Sequence, residues 1–217
     1  MPAKNRIKQY VENGHYHIYN RGVEKRNIFN DREDYTKFLY LLKIYLTPSD
    51  ILRQQYPLLR SNIVRNNLSE EIDLLAFCLM PNHFHLLVKQ KSKQAITHLM
   101  TYISTSYVIY FNKRNHRVGP LFQDVYKGVM IDTDEYLLHL SRYIHLNPLK
   151  RGASIDEFEW SSYLYYLGKN NAQWVKPNYI KGYFSEKNEN LSYQDFVESN
   201  AQENTAPKEL LLENPEF

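Results

Sequence analysis

Residues 78–89, CLMPNHFHLLVK, place two histidines two positions apart within an apolar run. Successive side chains of a β-strand point to opposite faces, so His83 and His85 share one face of the predicted strand. The apolar residues 72–79 and 84–89 are separated by Met-Pro-Asn, which favours a short connection between antiparallel strands. This segment therefore predicts a β-hairpin that presents two imidazoles on one surface.

The histidine pair has two interpretations. Two imidazoles on one strand face can bind one metal ion together. Histidines on a partly hydrated sheet face are also common as ordinary surface or core residues, and a bare spacing motif does not separate the two cases. Motifs elsewhere in the sequence are needed to distinguish a metal-binding pair from ordinary surface or core histidines.

The segments around this hairpin alternate between strand and helix patterns. Residues 15–22 are rich in aromatic and branched side chains and end in glycine, which predicts a first strand. Apolar side chains at helical spacing predict helices within residues 31–48 and 95–112, whereas residues 49–70 show only helical patches. Residues 125–131 predict the last strand after a Gly-Pro break.

This order, β-α-β-β-α-β, is that of the ferredoxin-like split arrangement. We therefore expect an α+β fold with an antiparallel sheet and both helices on one face. Residues 166–217 form a predicted C-terminal extension, partly helical at residues 193–197 and ending in an acidic tail.

A further helix with a tyrosine near its end is predicted after the fourth strand. Asp132 and Glu135 form a loose capping-box pattern at its start, and Pro148 disfavours helical geometry at the residue before it. Tyr143 and Asn147 then lie one turn apart on one side of the helix. Both could face a metal ion held by the histidines, because Mg²⁺ and Mn²⁺ accept oxygen ligands. A packing tyrosine and a helix-ending asparagine are the ordinary alternatives.

Composition restricts the class of protein. Hydrophobic residues make up 43% of the 217 residues and charged residues 24%, which excludes disorder throughout the chain. A single cysteine, Cys78, excludes a disulfide framework and a cysteine-rich zinc site, and fits a reducing compartment. Neither a membrane-spanning stretch nor the apolar core of a signal peptide is present in the sequence, so we expect a cytoplasmic location and no membrane partner.

The net charge of +3 is unevenly distributed. Residues 185–217 contain eight acidic residues and two lysines, a net charge of −6, which leaves +9 for residues 1–184. A basic body with 19 tyrosines and 10 phenylalanines could neutralise phosphates and stack on unpaired bases. A solvated basic surface is equally compatible with these counts.

Two motifs identify a family resemblance. PNHFHLLV (residues 81–88) and RYIHLNP (residues 142–148) resemble the paired signatures of single-tyrosine HUH transposases, in particular the REP-associated tyrosine transposases. HIYNRG (residues 17–22), GPLFQ (residues 119–123) and WSSY (residues 160–163) support the likeness. It extends over about residues 13–165, and we assign residues 1–165 to a predicted catalytic domain.

The resemblance implies a metal-dependent single-stranded DNA endonuclease and strand transferase that cuts hairpin-flanked sites through a 5′-phosphotyrosine. His83 and His85 match the metal-binding pair of the family, and Tyr143 matches its nucleophile. Asn147 occupies the place of the third ligand, which is often glutamine in relatives. The expected cofactor is Mg²⁺ or Mn²⁺, and the expected partner is hairpin-forming single-stranded DNA.

Basic residues beside predicted strands and helix ends are candidates for DNA contact, although each could equally be a solvated surface cation. These candidates are Arg21, Lys25, Arg26, Lys113, Arg114, Arg117 and Lys127.

Two other functions fit the same motifs. One is a catalytically silent regulator that binds hairpin DNA or RNA on the same fold. The other is a metal-dependent hydrolase in which the histidines activate water and Tyr143 only orients the substrate. A tyrosine-linked product would distinguish strand transfer from both. We also expect a homodimer, which a single monomeric mass in solution would contradict.

Overall fold

The structure is a computed structural model that describes residues 10–187 and 192–199. Its four-stranded sheet has the order β2-β3-β1-β4, and each strand is antiparallel to its neighbours. The strands are β1 (His15–Arg21), β2 (Ile72–Met80), β3 (His83–Gln90) and β4 (Lys127–Ile131). This sheet confirms the predicted α+β fold, and the order is the one that a β-α-β-β-α-β chain produces.

Eight α-helices lie within the described residues. They are α1 (Arg32–Leu46), α2 (Ser49–Gln55), α3 (Ser61–Arg65), α4 (Ala95–Arg114), α5 (Asp134–Leu146), α6 (Tyr163–Tyr166), α7 (Pro177–Lys187) and α8 (Tyr193–Glu198). Two 3₁₀ turns occupy Val23–Lys25 and Asn147–Arg151. None of the helices in the described part of the chain has the length and apolar character needed to cross a membrane.

The sheet separates two apolar cores. Helices α1 and α4 pack on one face, where strand residues such as Ile18 and Phe84 are buried. Both helices of the ferredoxin-like unit therefore share a face, as the sequence predicts. Helix α5 covers the opposite face, where Tyr19 and Cys78 are buried with Leu140. Burial of one large apolar side chain contributes roughly 1.5–3 kcal/mol, so both faces of the sheet anchor helices firmly.

The N-cap of helix α5 lies one residue later than the capping pattern predicts. The side chain of Thr133, and not that of Asp132, accepts a hydrogen bond from the backbone N–H of Tyr136. Thr133 has an extended backbone with φ −129° and ψ 150°, which aims its hydroxyl at the first turn. The helix ends at Leu146, and the chain continues as a 3₁₀ turn containing Pro148.

Residues after α5 return to the outer edge of β2. The backbone N–H of Leu79 donates to the carbonyl of Trp160, and that of Lys176 donates to the carbonyl of Leu74. These bonds cover a strand edge that would otherwise expose unpaired backbone groups.

The C-terminal extension shares both cores with the rest of the chain. Trp174 and Val175 are buried in the α1–α4 core, whereas Ile180 and Val197 are buried in the α5 core. Side chains on both sides of residue 165 thus pack together, and the domain division at that residue stays a prediction. The predicted short helix is present as α8, and most of the acidic tail lies outside the described residues.

Candidate active site

The turn between β2 and β3 is held by the chain that follows β1. The carbonyl of Pro81 accepts hydrogen bonds from the backbone N–H groups of Ile28 and Phe29, and the carbonyl of Asn82 accepts one from Gly22. A Cβ atom at Gly22 would lie 2.2 Å from the carbonyl oxygen of Arg26, so only glycine permits this close approach. These contacts determine where β3 begins.

His83 and His85 lie on the α5 face of β3, as the sequence predicts. Their ring centroids are 4.9 Å apart. Nδ1 of His83 lies 2.7 Å from Oδ1 of Asn82. An amide oxygen only accepts hydrogen bonds, so the His83 proton belongs on Nδ1 and the lone pair on Nε2.

A third imidazole, that of His17 on β1, completes a row that sequence reasoning missed. Its Nε2 lies 2.8 Å from Nδ1 of His85, and the two rings stack with centroids 5.0 Å apart. One proton is shared between these two nitrogens. When His85 donates it, the lone pair of His85 is on Nε2, the same nitrogen as in His83.

Burial keeps these imidazoles neutral. It lowers the pKa of His17 to about 3 and that of His85 well below the ordinary value of 6.5. Burial also lowers the pKa of His83 to about 4, with smaller contributions from the charges of Lys150 and Arg151. The neutral form is the one that can bind a metal ion.

Tyr143 and Asn147 reach the histidines from α5 and the turn that follows it. The Tyr143 ring centroid lies 5.7 Å from that of His85, and the side chain is 2% exposed. Nδ2 of Asn147 donates to the Tyr143 carbonyl at 2.9 Å, and the Asn147 side chain also hydrogen-bonds to His83. The four candidates are thus brought together within a single chain. The homodimer remains a prediction.

Lys150 is a further member of this cluster that sequence reasoning missed. Its Nζ lies 3.0 Å from the Tyr143 hydroxyl oxygen and 4.3 Å from the centroid of that ring. Burial raises the pKa of Tyr143 above its ordinary value of 10.0 and lowers that of Lys150 below 10.5. An uncharged phenol and an ammonium group therefore face each other at neutral pH.

Two of the seven candidate DNA-binding cations border the histidine row. Arg21 is paired with His83 in the β1–β3 register, and its guanidinium hydrogen-bonds to Gln123. Lys127 of β4 is paired with Tyr19, and its Nζ lies 5.9 Å from the centroid of that ring.

The other candidates lie on the loop after β1 and at the end of α4. Lys25 is exposed, and Arg26 donates to the carbonyl of Val23. Lys113 lies in the last turn of α4, the helix on the opposite sheet face, and Arg117 lies three residues after the end of that helix. The Arg117 guanidinium donates a hydrogen bond to Oδ1 of Asn112.

Arg114 is engaged in a structural ion-pair network. Its guanidinium lies 2.7 Å from Asp31, 3.1 Å from Glu33 and 2.9 Å from Asp34. These contacts join the end of α4 to the start of α1. Three carboxylates neutralise the Arg114 charge, which gives this residue a role that needs no DNA.

The side chains around the histidine pair fit a divalent cation with mixed ligands. Among the described residues, no group of three or more His, Cys, Asp or Glu side chains could hold a metal ion. Two imidazoles and the amide oxygen of Asn147 would leave further coordination positions for water or phosphate oxygens. Such a set suits Mn²⁺ or Mg²⁺ better than a closed structural zinc site.

Comparison with one solved structure supports the fold. A REP-associated tyrosine transposase bound to a REP hairpin aligns with a TM-score of 0.50 and 11% identity, over 77% of this chain and 87% of that one. A crystal structure of a Deinococcus radiodurans R1 protein named as a transposase aligns with a TM-score of 0.36 and 15% identity, over 62% and 89%.

Comparison of sequences gives the family. No curated protein sequence matches the chain. The family model described as "Transposase IS200 like" matches residues 10–147, well over half of the chain and a range that includes both the histidine hairpin and the tyrosine helix. The chain belongs to the IS200-like transposase family.

Proposed function

We propose that this transposase cuts and rejoins single-stranded DNA with Tyr143 as its nucleophile. One observation carries the proposal: the Tyr143 ring lies 5.7 Å from that of His85 within one chain, and the Asn147 side chain hydrogen-bonds to the Tyr143 backbone carbonyl and to His83. A nucleophile beside a neutral imidazole pair is an arrangement suited to phosphoryl transfer assisted by a metal ion.

His83, His85 and the amide oxygen of Asn147 would hold the divalent cation, Mg²⁺ or Mn²⁺. When bound, the cation supplies Lewis-acid polarisation of a non-bridging phosphate oxygen. The protein's own contribution is to keep both imidazoles neutral by burial, to fix the tautomer of His83 through Asn82, and to hold the His85 ring through its hydrogen bond with His17.

The reaction follows from the groups present. The Tyr143 oxygen attacks the scissile phosphorus and loses its proton to solvent, while the bond from phosphorus to the 3′-oxygen breaks and that oxygen takes up a proton. The products are a 5′-phosphotyrosine and a free 3′-hydroxyl. Attack by another 3′-hydroxyl reverses the step and reseals the strand, so the covalent bond conserves the phosphodiester energy without ATP.

Hairpin-forming DNA is the proposed substrate. The REP-associated tyrosine transposase of similar fold is bound to a REP hairpin. The net charge of +9 over residues 1–184, with Arg21 and Lys127 beside the histidine row, supports binding of a polyanion. Five further cations are proposed to contact DNA away from the histidine row: Lys25, Arg26, Lys113, Arg114 and Arg117. Of these, Arg114 is the weakest candidate, because its charge is already paired with three carboxylates.

A denaturing gel tests the reaction class. End-labelled single-stranded oligonucleotides that form hairpins, taken from DNA flanking the gene, are incubated with wild type, Tyr143→Phe and Tyr136→Phe, in Mn²⁺ or in EDTA. We expect a metal-dependent protein–DNA band in wild type that Tyr143→Phe abolishes. Tyr136, a buried tyrosine of the same helix, is the matched control and should retain the band.

The other outcomes identify the alternatives. Hairpin binding with no covalent band for wild type would favour the catalytically silent regulator. Release of both DNA ends without a covalent band would favour a hydrolase in which water attacks. A covalent band that persists in Tyr143→Phe would remove Tyr143 from its role.

A further inference from the structure

The nucleophile of this site lies in surroundings that oppose its activation. Tyr143 is 2% exposed, so its phenol is almost completely shielded from solvent. The residues it meets include the neutral ring of His85 and the amide of Asn147, neither of which carries a positive charge. An attacking phenol must develop negative charge on its oxygen, and a buried anion without a partner is costly.

Lys150 is the charged side chain that meets this need. Among the described residues it alone brings a positive charge within hydrogen-bond distance of the Tyr143 hydroxyl, at 3.0 Å. Pro148 helps to place it, because the 3₁₀ turn Asn147–Arg151 brings a residue seven positions after Tyr143 back to the tyrosine ring. A straight α-helix would instead carry that residue about 10 Å along the axis.

We propose that Lys150 is a second catalytic residue, which donates a hydrogen bond to the Tyr143 oxygen and stabilises the negative charge on it during attack. The inference rests on the function proposed above. As the Tyr143–phosphorus bond forms, the bond from phosphorus to the 3′-oxygen breaks; the phenol loses its proton, the 3′-oxygen takes one up, and the ammonium keeps its three protons. In the rejoining step the phenolate is the leaving group, and the same hydrogen bond stabilises it.

The position of Lys150 against the Tyr143 ring strengthens the interaction of its ammonium with negative charge on the Tyr143 oxygen. Lys150 is exposed to solvent as a whole residue, but its Nζ lies against the hydroxyl and the ring of the buried Tyr143. An anion that develops on a buried oxygen interacts more strongly with an ammonium in direct contact than it would across bulk water, because the effective dielectric constant on the Tyr143 side is lower. The contact between Lys150 Nζ and the Tyr143 hydroxyl is present in the DNA-free structure.

Single-turnover formation of the covalent adduct at saturating DNA tests the proposal. Removal of one preorganised donor at a developing oxyanion lowers rates by about 10²–10³-fold, so Lys150→Met should slow adduct formation by that factor. Lys150→Arg keeps a charge and a donor and should recover at least about ten-fold of the loss. Lys169→Met removes a surface lysine that pairs with Asp156, and it should retain the wild-type rate.

Two readouts separate stabilisation of the phenolate from a phosphate contact and from a purely structural effect. If Lys150 contacted only a DNA phosphate, Lys150→Met would weaken binding and lower the salt slope by about one unit while leaving the saturated rate unchanged. Replacement of Tyr143 by a fluorinated tyrosine, whose phenol is more acidic, should reduce the effect of Lys150→Met, which a purely structural role would not do.

The outcomes also distinguish the role of Lys150 from the proposed function. If wild type forms an adduct and Lys150→Met forms it within about three-fold of the wild-type rate, the role of Lys150 is refuted and that of Tyr143 stands. If wild type forms no adduct, the proposed function itself fails. A defect in Lys150→Met that is unchanged by the fluorinated tyrosine would also overturn the proposal.

Discussion

Mild acid is expected to destabilise this protein, because three imidazoles are buried in their neutral form and that of His83 is half-buried. Burial lowers the pKa of His17 and His145 to about 3 and that of His83 to about 4, and it lowers that of His85 well below 6.5. Between these values and 6.5 the unfolded chain binds more protons than the folded protein. Stability is therefore complete above pH 6.5 and decreases as the pH falls below it.

The size of the stability loss follows from the lowered pKa values of these histidines. Such an imidazole has a pKa of about 6.5 in the unfolded chain and stays neutral in the folded protein. It lowers the free energy of unfolding by about 1.3 kcal/mol when the pH falls from about 7.5 to about 5.5. Four such groups together give about 5 kcal/mol, a large share of the roughly 5–15 kcal/mol that stabilises a typical domain. Aspartates such as Asp31 and Asp195, whose pKa values are lowered from 3.8 by hydrogen bonds, stay ionised throughout this range and do not contribute.

Urea unfolding followed by the fluorescence of Trp160 and Trp174 at the two pH values measures the loss. The matched variant is His145→Gln, since His145 lies outside the proposed metal site and bonds to Tyr193 and Ser162. Its own pH-dependent loss should be smaller than that of wild type by about 1.3 kcal/mol, whatever its stability at neutral pH. A wild-type loss below about 1 kcal/mol would refute the neutral, buried state of the histidine row.

Two other expected outcomes concern contacts made by single side chains. His17→Met removes the hydrogen-bond partner of His85 Nδ1 and should weaken Mn²⁺ binding by about 10–100-fold, as measured by calorimetry on the DNA-free protein. His17→Gln keeps a hydrogen-bonding group at this position and should lose less affinity. Equal affinities for wild type and His17→Met would contradict this prediction. Tyr193→Phe removes a buried hydroxyl bonded to His145 and Ser141 and should cost about 1–3 kcal/mol of unfolding free energy, and a cost near zero would show that α8 is not anchored through this hydroxyl.

Local patterns were sufficient to predict most of the fold. Alternation along β1 and β3, helical spacing in α1 and α4, and the break at Pro148 predicted the order and nearly the bounds of these elements. The exact start of α5 was wrong because Asp132 and Thr133 are both good capping residues. Only the backbone direction, which brings the Thr133 hydroxyl to the N–H of Tyr136, separates them.

The sequence did not identify His17 and Lys150 as site residues, because their roles depend on contacts with residues distant in sequence or on a change of helix type. His17 shares a strand face with Tyr19 by simple alternation, yet its approach to His85 requires the β1–β3 register, in which Tyr19 is paired with His85. Lys150 reaches Tyr143 only because the chain tightens into a 3₁₀ turn after α5. A motif predicts which residues react, whereas the residues that support them emerge from tertiary geometry.

The identity of the tyrosine that becomes linked to DNA tests the account most directly. The chain has 19 tyrosines, and Tyr19 lies in the same cluster, with its ring 4.7 Å from that of His17. The covalent complex formed in Mn²⁺ would be digested with protease and nuclease and mapped by tandem mass spectrometry. We expect a nucleotide joined through its 5′-phosphate to Tyr143. A nucleotide on Tyr19 or on any other residue would contradict this expectation.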